Sequence, residues 1–172
     1  MKRIILGVTG SSCAPDAVLL ANKLTENGYA VDVILTKAAQ RFVSADRFMT
    51  ATRRIVYTDS SLERTSPEAH YLTLAKDADL ALVAPATANT IAKLAAGITD
   101  NLLTLTLAAL DDVPVMICPA ARDRLYRNQI AQRNRRELEN LGYYFFDALR
   151  ESDRLLERVG DMLDPECWGA YI

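Results

Sequence analysis

Four apolar runs, Arg3–Val8, Tyr29–Leu35, Leu80–Ala84 and Val113–Cys118, constrain this chain more than any other feature. Each is of strand length and, apart from Asp32 in the second, apolar on both faces, so each needs cover from above and below. Helical patterns separate them: Ala17–Leu24 running on to Gly28, with Pro15 suited to a first turn, then Glu68–Asp77, Thr87–Ala96 and Asn101–Leu110. Lys37–Met49 reads as a short helix with turns, Ile55–Tyr57 as a short strand and Thr58–Pro67 as a surface loop. Asp123–Leu141 is expected to be one long charged helix, Tyr143–Phe146 a last strand and Ala148–Leu163 an amphipathic helix. Strands that alternate with helices and are buried on both faces require a parallel sheet. With 172 residues and no internal repeat or linker, the expectation is a single α/β domain, residues 1–172. Its architecture is Rossmann-like: a parallel sheet with helices on both faces.

Charge and composition then exclude several classes of function. A net charge of −2 provides no electrostatic footprint for nucleic acid or an anionic membrane. The apolar runs are too short to span a bilayer, and Met1-Lys2-Arg3 leads straight into a strand, so a cytoplasmic location is expected. Cys13, Cys118 and Cys167 are odd in number and lack metal-ligand spacing, which points to reduced thiols and no metal.

Three of the strands end in small polar loops, at Thr9–Ala14, Thr36–Ala39 and Pro85–Thr90. In a parallel sheet these loops share the carboxyl edge, where ligands bind. Gly10 permits close backbone approach, and Ser11, Ser12 and Thr36 can donate to phosphate oxygens beside a helix N-terminus. Gly7 and Gly10 do not match the dinucleotide spacing, so a mononucleotide fits better than NAD. Helix capping explains any one of these loops equally well; their convergence is what favours a ligand.

The segment Pro-Ala-Thr-Ala-Asn-Thr-Ile-Ala-Lys-Leu-Ala-Ala-Gly-Ile-Thr-Asp-Asn-Leu-Leu-Thr, residues 85–104, resembles the signature of the flavin-containing cysteine decarboxylases. That family includes phosphopantothenoylcysteine decarboxylase and the peptide decarboxylases of lantibiotic biosynthesis, with flavin prenyltransferases as more distant kin. The opening Gly-Val-Thr-Gly-Ser-Ser loop, Leu35–Ala39 with Phe42, and Leu74-Ala75 with Ala78-Asp79 extend the likeness. The resemblance implies a flavodoxin-like FMN-binding subunit, assembled as a trimer or four trimers, with the flavin at the subunit interface. It implies FMN contacts from Gly10, Ser11, Ser12, Thr36, Ala39, Thr87, Ala88, Asn89, Thr90 and Ala120. Catalytic roles fall on His70, Asn89 and Arg122. The implied reaction is oxidative decarboxylation of a peptide's C-terminal cysteine: the flavin oxidises the thiol-bearing carbon, and the resulting thioaldehyde is the electron sink for loss of CO2.

Two catalytic motifs depart from the family pattern. The histidine His70 stands one residue early relative to Leu74-Ala75, leaving Tyr71 at the aligned position. In place of a Pro-x-Met-Asn-x-x-Met-Trp pattern the chain has Pro119-Ala120-Ala121-Arg122-Asp123-Arg124-Leu125-Tyr126. Arg122 can grip a carboxylate through two hydrogen bonds, but a tight grip on the ground state opposes its departure as CO2. Three functions therefore fit: a peptidyl-cysteine decarboxylase with altered motifs, an FMN-binding partner or regulatory subunit without that activity, and phosphopantothenoylcysteine decarboxylase. Cys167 has no matching context and takes no role, while Trp168 and Tyr171 are expected in a packed tail.

Overall fold

The computed structural model describes residues 1–60, 67–120, 126–147 and 151–164, with backbone only at 67–69. Six strands, β1 (Arg3–Val8), β2 (Ala30–Leu35), β3 (Val56–Thr58), β4 (Leu80–Ala86), β5 (Val115–Pro119) and β6 (Tyr143–Phe145), form one sheet. Its order is β3-β2-β1-β4-β5-β6, and every pairing is parallel. The helices are α1 (Asp16–Glu26), α2 (Ala45–Thr52), α3 (Pro67–Lys76), α4 (Ala88–Ala95), α5 (Leu102–Ala108), α6 (Gln129–Asn140) and α7 (Ser152–Leu163).

The apolar runs are buried on both faces, as their lack of alternation requires. Successive residues of each central strand feed opposite cores. Ile4, Leu6, Val8, Val31, Val33, Leu35, Leu80 and Leu82 pack beneath α1, α2 and α7, against Leu20, Leu24, Phe48 and Val159. Ile5, Ile34, Ala81, Val83, Val115 and Ile117 pack against Leu74, Ile91, Leu103, Leu107 and Leu138 of α3 to α6. Gly7 lets Leu103 pack directly on β1, since a Cβ there would stand 2.4 Å from Leu103 Cδ1 and push that side chain aside. No helix among the described residues is long and apolar enough to cross a membrane.

Some boundaries differ from the expectation. The Lys37–Met49 region divides into a 3-10 turn, Ala39–Arg41, and α2, which begins after Ser44. The long charged helix expected from Asp123 begins only at Gln129, where the Asn128 side chain accepts the Ala131 N–H at 2.8 Å and starts the helix. Strand β4 continues through Pro85, which has no N–H to lose, because the Pro85 carbonyl accepts from Thr9 and the Ala86 carbonyl from Ala120.

At the amino edge, Asp79 ties β4 to the start of β1. Its carboxylate accepts the Arg3 N–H at 2.7 Å and the Lys2 ammonium at 2.9 Å. Burial pushes this carboxyl up, but the Arg3 amide and Lys2 outweigh burial and hold it below its ordinary value of 3.8. A carboxyl held low in the folded state stabilises the fold above 3.8 and loses that contribution as pH falls through its folded value. Asp79→Asn is therefore expected to lower the melting temperature at pH 7, with the gap from the native protein closing as pH is lowered past 3.8. A gap independent of pH between 7 and 2.5 would contradict this, on the linkage relation that only a titrating difference carries slope, about 1.4 kcal/mol per pH unit per proton at most.

Candidate functional site

The sheet order changes direction between β1 and β4: from β1 the chain runs to β2 and β3, and from β4 to β5 and β6. Adjacent loops diverge there, leaving a crevice at the carboxyl ends of the strands. A cavity of about 960 Å³ opens at this place, walled by the loops after β1, β2, β3, β4 and β5. That volume is at the upper end for ligand sites, enough for a mononucleotide with a substrate beside it.

Thr9, buried at the end of β1, joins two of these loops. Its hydroxyl donates to the Pro85 carbonyl at 2.8 Å and accepts the Thr87 N–H at 2.9 Å. Gly10 follows, and it is close approach that demands glycine here: a Cβ would meet Ala38 Cβ at 2.5 Å and the Ala38 carbonyl carbon at 2.9 Å. Ser11 and Ser12 complete this wall, the Ser11 hydroxyl accepting the Cys13 N–H at 3.2 Å. Thr36 braces the 3-10 turn after β2, its hydroxyl accepting the Ala39 N–H and donating to the Val8 carbonyl, both at 3.3 Å.

After β4, Thr87 caps α4, accepting the Thr90 N–H at 3.2 Å while its hydroxyl meets that of Thr90 at 3.1 Å. Capping and ligand lining are thus the same geometry, because a cap leaves the first turn of the helix facing the cavity. Ala88 and Asn89 occupy that turn, with Asn89 exposed at the mouth. Ala120 closes the β5 side, its N–H donating to the Ala86 carbonyl at 2.9 Å.

The structure therefore gathers Gly10, Ser11, Ser12, Thr36, Thr87, Ala88, Asn89, Thr90 and Ala120 around one cavity. Ala39 is a correction: it is fully buried in the core beneath the sheet, and Lys37 and Ala38 form the wall instead. The 3-10 turn that begins at Ala39 rotates its methyl inward. His70 is not part of the wall of its own chain; it lies in the first turns of α3, half-buried, with its ring edge-on to Tyr57 at 5.8 Å. Tyr71 packs against the second core. Arg122, Cys167, Trp168 and Tyr171 lie outside the described residues.

Several wall residues received no site role from the sequence, although Lys93, Asp100 and Asn101 stand in the 85–104 segment and Tyr126 in the motif that begins at Pro119. Tyr126 lines the cavity and donates its hydroxyl to the Ala86 carbonyl. Lys93 and Asp100 pair at the rim, at 2.6 and 2.8 Å to the two carboxylate oxygens, and Asn101 donates to Asp100 at 3.0 Å. The Lys93 hydrogen bonds hold the Asp100 carboxyl below its ordinary value. Asp59 enters the wall from the loop after β3. Cys118, beside this region on β5, is buried, and burial pushes its thiol far up, so it stays a neutral core group.

Comparison with known proteins agrees with this geometry. The sequence profile of the flavoprotein family matches residues 1–164. A probable phosphopantothenoylcysteine decarboxylase of Streptococcus mutans is 39% identical over 143 residues, 83% of this chain and 80% of the relative. The coenzyme A biosynthesis bifunctional protein CoaBC of Bacillus subtilis is 40% identical over 146 residues, 85% of this chain; the match spans 36% of that longer protein. The crystal structure of TvaF, an FMN-dependent cysteine decarboxylase from thioviridamide biosynthesis, superimposes with a TM-score of 0.81 at 26% identity, covering 92% of this chain and 97% of that one. A profile match over nearly the whole chain, with relatives near 40% identity, places this protein in the flavoprotein family.

Proposed function

We propose that this chain is an FMN-dependent decarboxylase of a terminal cysteine, acting on the C-terminus of a peptide. The observation that carries this is the position of residues 85–104: the segment that resembles the cysteine decarboxylases forms one wall of the switch-point cavity and faces the Gly10–Ser12 loop. The residues present fit FMN. Glycine at position 10 leaves backbone where a Cβ would collide, and Ser11 and Ser12 bring hydroxyls beside it for a phosphate. Thr87, Ala88, Asn89, Thr90 and Ala120 offer small side chains and amide groups on the side that would hold the ring.

When bound, FMN supplies the two-electron oxidation that makes loss of CO2 from the cysteine feasible. The chain's own task is to orient the cysteine and keep water from it. Asn89 brings an amide donor to the mouth of the cavity, suited to a sulfur-centred anion. Arg122 is assigned the substrate carboxylate and His70 a proton near the thiol. His70 lies outside the wall of its own chain, so this role requires a neighbouring subunit's flavin.

Assembly of the chain as a trimer, or as four trimers, supplies such a neighbour. A groove of about 510 Å³ between α4 and α6 adjoins the cavity through Ala88, and Ile130 on its edge is 64% exposed. A second copy seated there would cover Ile130 and stand next to the flavin. A cytoplasmic location belongs with this chemistry.

Phosphopantothenoylcysteine is the second substrate to be weighed, because a relative named as a probable phosphopantothenoylcysteine decarboxylase is 39% identical to this chain. The FMN-loaded protein is to be incubated separately with Cys-terminated peptides, from the same gene neighbourhood where available, and with phosphopantothenoylcysteine, with products read by mass spectrometry. The expected product is a peptide lighter by CO2 and two hydrogens. Loss from phosphopantothenoylcysteine alone would move the substrate to that compound, and loss from neither would overturn decarboxylation. Activity that appears only in Arg122→Asn would identify a flavin-binding partner subunit instead.

A further inference from the structure

Asp59 follows β3, in a stretch whose polar sequence reads as surface loop, yet its carboxylate is built into the cavity wall. Its two oxygens serve different segments. One accepts the Lys37 N–H at 3.2 Å, in the loop after β2, and the other accepts the Leu102 N–H at 3.0 Å, at the first residue of α5. Both donors flank the cavity, which Lys37, Ala38 and Asn101 line. The Thr58 and Ser60 hydroxyls, 2.8 Å apart, brace the residues on either side of Asp59.

A carboxylate suits this place for physical reasons. It only accepts, so it satisfies two amide donors at once, and its charge is favourable at the start of a helix. A neutral amide would turn an NH2 group toward one of the two donors. No sequence pattern joins residues 37, 59 and 102; the sheet order does, by placing the ends of β2 and β3 side by side with α5 across from them.

We propose that Asp59 is a positioning residue of the flavin site. By holding the amides of Lys37 and Leu102 on one carboxylate, it fixes the separation between the loop after β2 and the start of α5. The two segments then close on the cofactor as one wall. This rests on FMN occupying the cavity, and the experiment separates the two statements.

Apo forms of the native protein, Asp59→Ala and Asp59→Asn are titrated with FMN by fluorescence quenching. The visible circular dichroism of each saturated complex and the apo melting temperature are recorded alongside. Expected is saturable FMN binding by the native protein, weakened at least about tenfold in Asp59→Ala, with Asp59→Asn between them, on the scale of losing hydrogen bonds to a charged acceptor. The visible dichroism of both variants should differ from native at saturation, since the ring would sit against a displaced wall. Affinity in Asp59→Ala within about threefold of native, or a fall in melting temperature with unchanged dichroism at saturation, overturns the positioning role. Should Asp59→Ala not fold, Asp59→Asn, which keeps one acceptor oxygen, decides by its visible dichroism at saturation: a spectrum changed from native supports the positioning role, and an unchanged one overturns it. A native protein that binds no FMN overturns the flavin assignment itself, and Asp59's role with it; that failure is seen in the native titration rather than in the ratio between variants.

Discussion

Gly10→Ala is expected to lose FMN while keeping its fold. The added Cβ would lie 2.5 Å from Ala38 Cβ, 2.9 Å from the Ala38 carbonyl carbon and 3.1 Å from its oxygen. Two of these atoms are backbone, so no side-chain rotation relieves the contact. Ala38 cannot yield freely, because the Thr36 carbonyl and hydroxyl hold the Ala39 N–H behind it and the Thr36 N–H is bonded to Val8 at 3.1 Å. The loops after β1 and β2 must therefore separate by roughly 1 Å to restore ordinary contact. This takes the Ser11 and Ser12 hydroxyls out of reach of a bound phosphate and, at about 1.5–3 kcal/mol for hydrogen bonds to a charged group, costs up to about 100-fold in affinity. That loss corresponds to about 2.7 kcal/mol of binding free energy. The cavity mouth, not the core, takes up the change, so the apo melting temperature should stay near native. Fluorescence titration and a thermal melt on the same sample check both halves. Affinity within about threefold of native would show that the two loops do not close on the ligand.

Asp32→Ala should have the largest effect on stability. Asp32 lies in the middle of β2 with a side chain 2% exposed, an unusual place for a carboxylate. Two guanidinium groups make it tenable: Arg3 Nε at 2.6 Å from β1 and Arg54 Nε at 2.8 Å from the turn before β3. Burial alone would lower the Arg3 guanidinium, but the hydrogen bond and charge of Asp32 more than reverse it. Burial also pushes the Tyr57 hydroxyl up, and the Asp32 charge adds to it. Removing the carboxylate takes this partner from the Arg54 guanidinium and leaves Arg3 held by Asp77. Breaking a fully buried pair costs about 3–5 kcal/mol. With both arginines about a third exposed and Arg3 still paired to Asp77, solvent screening reduces this to about 2 kcal/mol. For a chain of this size that is a fall of roughly 4–8 °C in melting temperature. Asp32→Asn keeps one acceptor and should lose about half as much. A fall of less than about 2 °C for the alanine variant would show that the cluster is solvent-screened and contributes little.

The two residues mark the difference between what the sequence makes legible and what it does not. Gly10 stands in a run of small polar residues directly after an apolar strand, so its role follows from local order. The same holds for Ser11, Ser12, Thr36 and the Thr87–Thr90 turn, and the cavity collects all of them. Asp32 stands out inside an apolar run and Asp59 does not stand out at all, but for neither does the local sequence name a partner. Each acquires its role from partners brought together by strand order, Arg3 and Arg54 for one, Lys37 and Leu102 for the other. Ala39 fails for a related reason: one residue of 3-10 turn decides whether a methyl faces cavity or core, and the periodicity of a three-residue turn is too short to read. His70 illustrates the limit on function. Its spacing fits the family's helix only with a shift of one residue, about 100° of rotation, and in this chain it rests against Tyr57.

Titration of the apo protein with FMN, and in parallel with riboflavin, is the most direct test of the flavin cavity. Expected is one FMN per chain, with riboflavin bound at least about tenfold more weakly because it cannot use the hydroxyl donors at Ser11 and Ser12. No saturable FMN binding, or equal binding of the two flavins, would contradict the assignment of this cavity.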